Sequence, residues 1–258
     1  NASIAIDSKQ RLFTSDDYLN RILVRTQEGE LLDTWGEHGT EEGQLNGPNG
    51  ITFNSKDELI VSDHLNGRIQ KFTGDGEHLA TFGEPGSGDG QLNLPWEVCT
   101  DDEYNIYVAD WGNDRIVKFS SDGRFQANFG SSGRGDGELN APSSVCVDSD
   151  GYIYIADWGN QRIQIFDSNG NFVQSNRGQG TISKWAQDFL DTNVEEGEAR
   201  ATANLELDIE FNTDDLHEES AHIEKYFWGP TSLAMDKDNH LFVIDSNRHR
   251  LQVFDIQG

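Results

Sequence analysis

The stretch Val108-Ala-Asp-Trp-Gly-Asn-Asp-Arg115 decides the fold, because the chain repeats it. Residues 61–68 and 155–162 are close copies of this stretch, and residues 14–21 and 243–250 are looser ones. The arginines that end the five copies lie 47, 47, 47 and then 88 residues apart, at Arg21, Arg68, Arg115, Arg162 and Arg250. A fixed period of this length indicates a repeat architecture, and the long last interval indicates an insertion.

Each repeat has the pattern of a small antiparallel sheet. In the second repeat, alternation of apolar and polar residues predicts four short strands, at residues 50–54, 58–62, 68–73 and 78–82. Asp, Asn and Gly residues separate them, as is typical of tight turns. A four-stranded sheet cannot bury both of its faces alone. We therefore predict an all-β protein in which the sheets stack radially as the blades of a β-propeller.

The repeat pattern resembles a known family. Pro-x-x-apolar-x-x-Asp, followed by Asp-x-x-Asn-x-Arg-Ile-Gln-x-Phe, is similar to the NHL repeat, and the resemblance extends over the chain outside residues 181–229. The insertion after the fourth copy resembles that of poorly characterised bacterial NHL proteins with six blades. The resemblance implies one propeller domain over residues 1–258, with five blades in this chain and six in a complete ring. We expect the sixth blade and the closing strand to lie upstream of Asn1, and an open blade edge to allow self-association.

Charge narrows the range of partners. Against 19 Lys and Arg the chain has 46 Asp and Glu, a net charge of -27. The negative electrostatic potential from this charge repels nucleic acid and anionic membranes and attracts cations. An acidic surface that only increases solubility is the alternative interpretation. No apolar run approaches the roughly 20 residues of a membrane span. We expect a soluble protein, in the cytoplasm or secreted, without nucleic-acid or membrane partners.

The two cysteines, Cys99 and Cys146, occupy the same register of successive repeats. This register places them on neighbouring inner strands rather than on paired strands, too far apart for a disulfide. We expect both to be small apolar core residues.

Blade topology brings two sets of loops to one face, where a site is expected. One set enters the inner strands and contains Asn49, Trp96, Glu97, Ser144 and Thr231. Glu97 differs from its repeat equivalents, which are the small residues Ser3, Gly50, Ser144 and Ser232. A carboxylate there would point to the channel mouth, where Ca²⁺ held by Glu97, Asn49 and waters is one interpretation. A solvated glutamate is the other.

The second set of loops joins the second and third strands of each blade. Its recurring Asp and Arg predict a structural ion pair rather than catalysis. Trp111 and Trp158 are not needed to make a turn. Together with Trp96, Trp228 and the loop residue His64, they predict an aromatic floor for a ligand. Packing between blades is the alternative interpretation.

Residues 181–229 interrupt the connector into the last blade and are expected to emerge on the same face, as a lid or wall. Ser183 is predicted to cap a helix with an apolar stripe of Trp185, Phe189 and Leu190. Alternation over residues 204–211 predicts a half-buried strand. The end of the insertion approaches the channel, and it contributes three further candidate site residues, His222, Tyr226 and Trp228.

Two functions are compatible with these observations. The first is a binding scaffold whose aromatic, acidic face captures a protein, peptide or small-molecule ligand, as NHL domains commonly do. The second, implied by resemblance to six-bladed calcium enzymes, is a Ca²⁺-dependent hydrolase of lactones, aryl esters or phosphotriesters, with Glu97 and Asn49 as ligands. No organic cofactor is expected, and the sequence has no nucleophile elbow, P-loop or paired-cysteine motif.

Overall fold

A computed structural model describes residues 3–180, 184–203 and 215–256, and it consists mainly of antiparallel sheets. Blade 1 contains β1 (Ile4–Ile6), β2 (Leu12–Asp16), β3 (Arg21–Arg25) and β4 (Leu31–Trp35). Blade 2 contains β5 (Pro48–Phe53), β6 (Glu58–Asp63), β7 (Arg68–Thr73) and β8 (His78–Phe82). The next connector holds the short parallel pair β9 (Glu84–Pro85) and β10 (Gln91–Leu92).

The later blades repeat this arrangement. Blade 3 contains β11 (Pro95–Thr100), β12 (Ile106–Asp110), β13 (Arg115–Phe119) and β14 (Phe125–Phe129). A second connector pair follows, β15 (Ser131–Ser132) and β16 (Glu138–Leu139). Blade 4 contains β17 (Pro142–Val147), β18 (Ile153–Asp157), β19 (Arg162–Phe166) and β20 (Phe172–Asn176). Blade 5 has three strands among the described residues, β21 (Pro230–Met235), β22 (His240–Asp245) and β23 (Arg250–Asp255).

The five-bladed propeller predicted from the repeats is confirmed. First strands of consecutive blades contact one another in the order β1, β5, β11, β17 and β21, and they line a central channel. The strands predicted for the second repeat agree with the observed ones to within two residues. Both cysteines are free, as predicted, with Cys146 buried and Cys99 half-buried.

The insertion before blade 5 is helical where it is described. It contains α1 (Lys184–Thr192), α2 (Val194–Thr202) and α3 (Leu216–His222). The helix predicted after Ser183 is present as α1, but Ser183 itself and the strand predicted at 204–211 lie outside the described residues. No helix in the described part of the chain is both long and apolar enough to cross a membrane.

Four apolar cores hold the blades together, one between each consecutive pair. Each core joins the second and third strands of one blade to the first and second strands of the next. Between blades 1 and 2, for example, Phe13, Ile22 and Val24 pack with Ile51 and Val61. Alternation along the strands produces this arrangement, because successive side chains point to opposite faces of the blade.

A buried ion pair recurs in blades 2 to 5 and ties the connector of each blade to its sheet. Asp157 is fully buried and accepts hydrogen bonds from Asn140 N at 2.8 Å and from Arg162 Nε at 2.7 Å. Arg162 in turn donates to the carbonyl oxygens of Gly135 and Glu138. Burial raises the pKa of Asp157, while its hydrogen bonds to Arg162 and its neighbours oppose that rise. The structural role predicted for the recurring Asp and Arg agrees with these contacts.

Blades 1 and 5 each have one face that no other described blade covers, and these two faces expose apolar side chains. Ile4 is 62% exposed, whereas Ile51, at the same register, is 3% exposed. Leu251 is 54% exposed, whereas its equivalent Ile163 is 3% exposed. The equivalents of both positions pack against a neighbouring blade elsewhere in the described structure. The expected sixth blade stays a prediction.

Candidate functional site

A cavity of about 970 Å³ occupies the channel and extends from the end where the two loop sets meet along the first strands to Thr100, Val147 and Met235. Its volume lies at the upper end of the range of ligand pockets. Six of the residues predicted for the site line it, namely Asn49, Trp96, Glu97, Trp111, Trp158 and Thr231. The structure therefore brings together the aromatic and acidic residues that the repeat register had placed on one face.

Short 3-10 turns present two of the tryptophans to this cavity. The turns Trp111–Asn113 and Trp158–Asn160 follow the buried Asp110 and Asp157 and each begin with the indole residue. Each turn ends on a residue in the left-handed region, with φ of 54° at both Asp114 and Gln161. Because the aspartates fix the start of the turn and this geometry fixes its end, the indoles have a defined position at the mouth.

The aromatic rings also contact one another, both within blade 3 and across its boundary with blade 2. The ring centroids of Trp96 and Trp111 are 5.9 Å apart, and those of Trp96 and His64 are 5.2 Å apart in an edge-to-face arrangement. The Nδ1 atom of His64 lies 3.0 Å from the carbonyl oxygen of Pro95, and burial lowers the pKa of His64. His64 borders a second, smaller cavity of about 300 Å³. The contact between His64 and Trp96 thus joins blades 2 and 3. Trp96 and Trp111 also line the channel.

Glu97 extends from β11 into a gap left by the neighbouring blade. A Cβ atom at Gly50 would lie 2.6 Å from Glu97 Oε1, so the carboxyl group fills the space of the missing side chain. Ser3 Oγ donates to Glu97 Oε1 at 3.3 Å, and Val98 N does so at 3.4 Å. Burial raises the pKa of Glu97 to about 7.

The residues around Glu97 provide few ligands for a calcium ion. Asn49 is 6% exposed, and its backbone carbonyl oxygen accepts a hydrogen bond from Ser15 Oγ at 2.6 Å. Among residues 3–180, 184–203 and 215–256, no three His, Cys, Asp or Glu side chains are grouped to hold a metal. Ca²⁺ prefers six to eight oxygen ligands. Calcium at Glu97 and Asn49 stays a prediction.

The two hydroxyl residues predicted for the site have different positions. Thr231 lines the cavity. Ser144 is fully buried, and its Oγ accepts a hydrogen bond from Leu233 N at 3.0 Å, which ties blade 4 to blade 5. The preceding residue, Ser143, lines the cavity instead and donates to the carbonyl oxygen of Pro230 at 3.0 Å.

The candidates from the insertion lie apart from the cavity lining. His222 is exposed at the end of α3. The Tyr226 ring has the guanidinium of Arg177 4.3 Å from its centroid, and Trp228 Nε1 donates to His217 Nε2 at 2.9 Å. Sequence reasoning missed Arg177 and His217 because neither belongs to the repeat register.

One part of the cavity wall was also missed. Phe242, Ile244 and Leu251 line the cavity on the outer face of blade 5. The equivalents of Ile244 and Leu251 in the other blades are buried at interfaces, at Ser62, Ala109, Ile116 and Ile163 for example. The count of five repeats could have indicated this, because in the described structure no blade follows blade 5.

Comparison with protein families identifies the repeat. The family model for the NHL repeat matches residues 45–72, 139–166 and 227–254. Curated protein sequences give no match.

Solved structures share the fold at low sequence identity. Virginiamycin B lyase from Staphylococcus aureus, in a catalytically inactive form with quinupristin, is 12% identical with a TM-score of 0.59, over 98% of this chain and 69% of that chain. A chain of a nidogen/laminin complex is 15% identical with a TM-score of 0.64, over 98% and 74% of the two chains. A protein of unknown function from Bacteroides thetaiotaomicron is 15% identical with a TM-score of 0.62, over 97% and 57%. At these identities the likeness is one of fold.

Proposed function

Because the chain belongs to the NHL-repeat β-propeller family, we propose that it is a binding scaffold whose channel mouth holds a small-molecule or protein ligand. One observation carries the proposal. A cavity of about 970 Å³ has three indole rings, Trp96, Trp111 and Trp158, in its wall. Aromatic side chains provide a large contact area at low cost in conformational entropy, and they dominate many binding sites.

The neighbouring structures are consistent with this proposal without naming a ligand. One is a lyase described with quinupristin, and another comes from a complex between two proteins. For a protein partner, a protruding side chain or loop is the part that a concave site of this size accommodates. The net charge of -27 favours neutral or cationic ligands over anionic ones.

Removal of one indole tests the proposal. We expect Trp111→Ala to weaken ligand binding at least about tenfold, because the variant loses aromatic contact area in the cavity wall. A panel of aromatic alcohols, aromatic amines and short peptides is screened by thermal shift, and hits are measured by isothermal titration calorimetry.

Tyr152→Ala is the matched control, because Tyr152 is 41% exposed in the turn between β17 and β18, at the opposite end of its blade. The proposal fails if no compound in the panel binds, or if both substitutions weaken binding equally.

The calcium-dependent hydrolase is a second proposal, supported by the position of Glu97 in the channel. A bound Ca²⁺ would polarise an ester or phosphoryl oxygen. Hydrolysis of lactones, aryl esters and phosphotriesters, measured with EDTA and with added Ca²⁺, tests it. Turnover that EDTA abolishes and that Glu97→Ala lacks would favour this function, whereas turnover at the background rate under all conditions would exclude it.

A further inference from the structure

We propose that Glu97 binds the protonated amine of a ligand whose apolar or aromatic part lies against the tryptophans of the channel. This inference rests on the proposed function and adds the chemical class of the ligand. It follows from the charge of the cavity, the contacts of the carboxyl group, and the rings beside it.

Glu97 is the one charged side chain in the cavity wall, as far as the structure describes the chain. The other lining residues are aliphatic, aromatic, hydroxyl, amide and sulfur-containing side chains, without Lys, Arg or His. A carboxylate in such surroundings requires a positive partner if it is to be ionised. The lining residues supply none, so a cationic ligand would provide the partner that favours the ionised carboxylate.

The carboxyl group retains unused hydrogen-bond capacity. Its two protein donors, Ser3 Oγ and Val98 N, lie at 3.3 and 3.4 Å and both contact Oε1. These distances are at the long end for hydrogen bonds, and an ionised carboxylate can accept about four. A primary or secondary ammonium group has N–H donors of the kind that these free positions accept.

The gap at Gly50 sets the position of this acceptor. Since a Cβ at Gly50 would lie 2.6 Å from both Cα and Oε1 of Glu97, a larger residue would displace the carboxyl group. Ser232 and Ser144, the equivalents in blades 5 and 4, leave the rest of this level of the channel without charge. The cavity therefore has one anionic group, at a defined level along the channel axis.

The tryptophans provide the second half of the recognition. Trp96 and Trp111 line the same cavity as Glu97, and their ring centroids are 5.9 Å apart. Indole rings attract cations through their faces and also pack against apolar groups. One carboxylate beside aromatic walls suits an organic ammonium better than Ca²⁺, which requires several oxygen ligands.

The test compares 2-phenylethylamine with 2-phenylethanol, which has a similar shape but no positive charge. At about pH 8, above the pKa of Glu97 and below that of the amine, we expect the wild-type protein to bind the amine at least about tenfold more tightly than the alcohol. Glu97→Gln should remove that preference and leave the binding of the alcohol unchanged. Glu103→Gln, which removes an equal charge from an exposed turn, should behave like the wild type.

Three results would overturn the inference. Equal affinity of the wild type for amine and alcohol would do so while leaving the proposed binding scaffold intact. An amine preference that persists in Glu97→Gln would place the cation elsewhere. Ca²⁺ binding that Glu97→Gln abolishes, without any preference for the amine, would assign the carboxylate to a metal. Failure of the proposed function is seen separately, in the wider ligand panel.

Discussion

At the scale of single residues, the buried aspartates connect several segments of each blade. Asp157 is fully buried and receives four hydrogen bonds, from Asn140 N, Asn160 Nδ2, Arg162 Nε and Gln164 Nε2. Such a pair stabilises only while both partners are present, because a buried charge without a partner is costly.

We therefore expect Asp157→Asn to lower the free energy of unfolding by about 3 kcal/mol or more, since it leaves Arg162 without its counter-charge. Asp16→Asn is the control at the same register, where Asp16 and Arg21 are 21% and 35% exposed. Its expected cost is below about 1 kcal/mol. Urea unfolding at neutral pH measures both, and equal losses would contradict the importance given to burial.

Glu97 gives stability a pH dependence of a definite sign. The unfolded carboxyl ionises near its ordinary pKa of 4.5, and burial raises the folded pKa to about 7. Between these values the folded state holds the extra proton, so stability falls as pH rises through this window and the loss is complete above it. Relative to Glu97→Gln, the wild type should lose up to about 3 kcal/mol between about pH 4 and about pH 8. Parallel pH profiles of urea unfolding for the two proteins would contradict this expectation.

At the scale of elements, the interfaces between blades determine which strands are essential. Ile4 and Ile51 occupy the same register in β1 and β5, but only Ile51 is covered by a preceding blade in the described structure. We expect Ile51→Ala to cost about 2 to 5 kcal/mol and Ile4→Ala less than about 1 kcal/mol. Urea unfolding monitored by circular dichroism provides the comparison. Equal costs would indicate that Ile4 is buried in solution.

These elements could be predicted because the strands alternate and the turns carry Asp, Asn and Gly at fixed offsets. The position of Trp111 and Trp158 at the channel mouth could be predicted from the same repeat register. The partners of Glu97 could not be predicted, because its contact with Ser3 passes across blade 2 and depends on the missing side chain of Gly50. The contacts of Tyr226 and Trp228 could not be predicted either, because the insertion has no repeat from which a register could be assigned.

At the scale of the whole molecule, the residues that hold the blades together recur, whereas the residues at the channel differ from blade to blade. The cores and the Asp–Arg pairs recur from blade to blade, whereas the residue at the register of Glu97 varies, as Ser3, Gly50, Glu97, Ser144 and Ser232. These positions are coupled across blades, because the Glu97 carboxyl fills the space left by Gly50 and accepts a hydrogen bond from Ser3. A new side chain at this level of the channel therefore requires a small residue in the preceding blade, so the chemistry of the channel changes by pairs of blades on a constant frame.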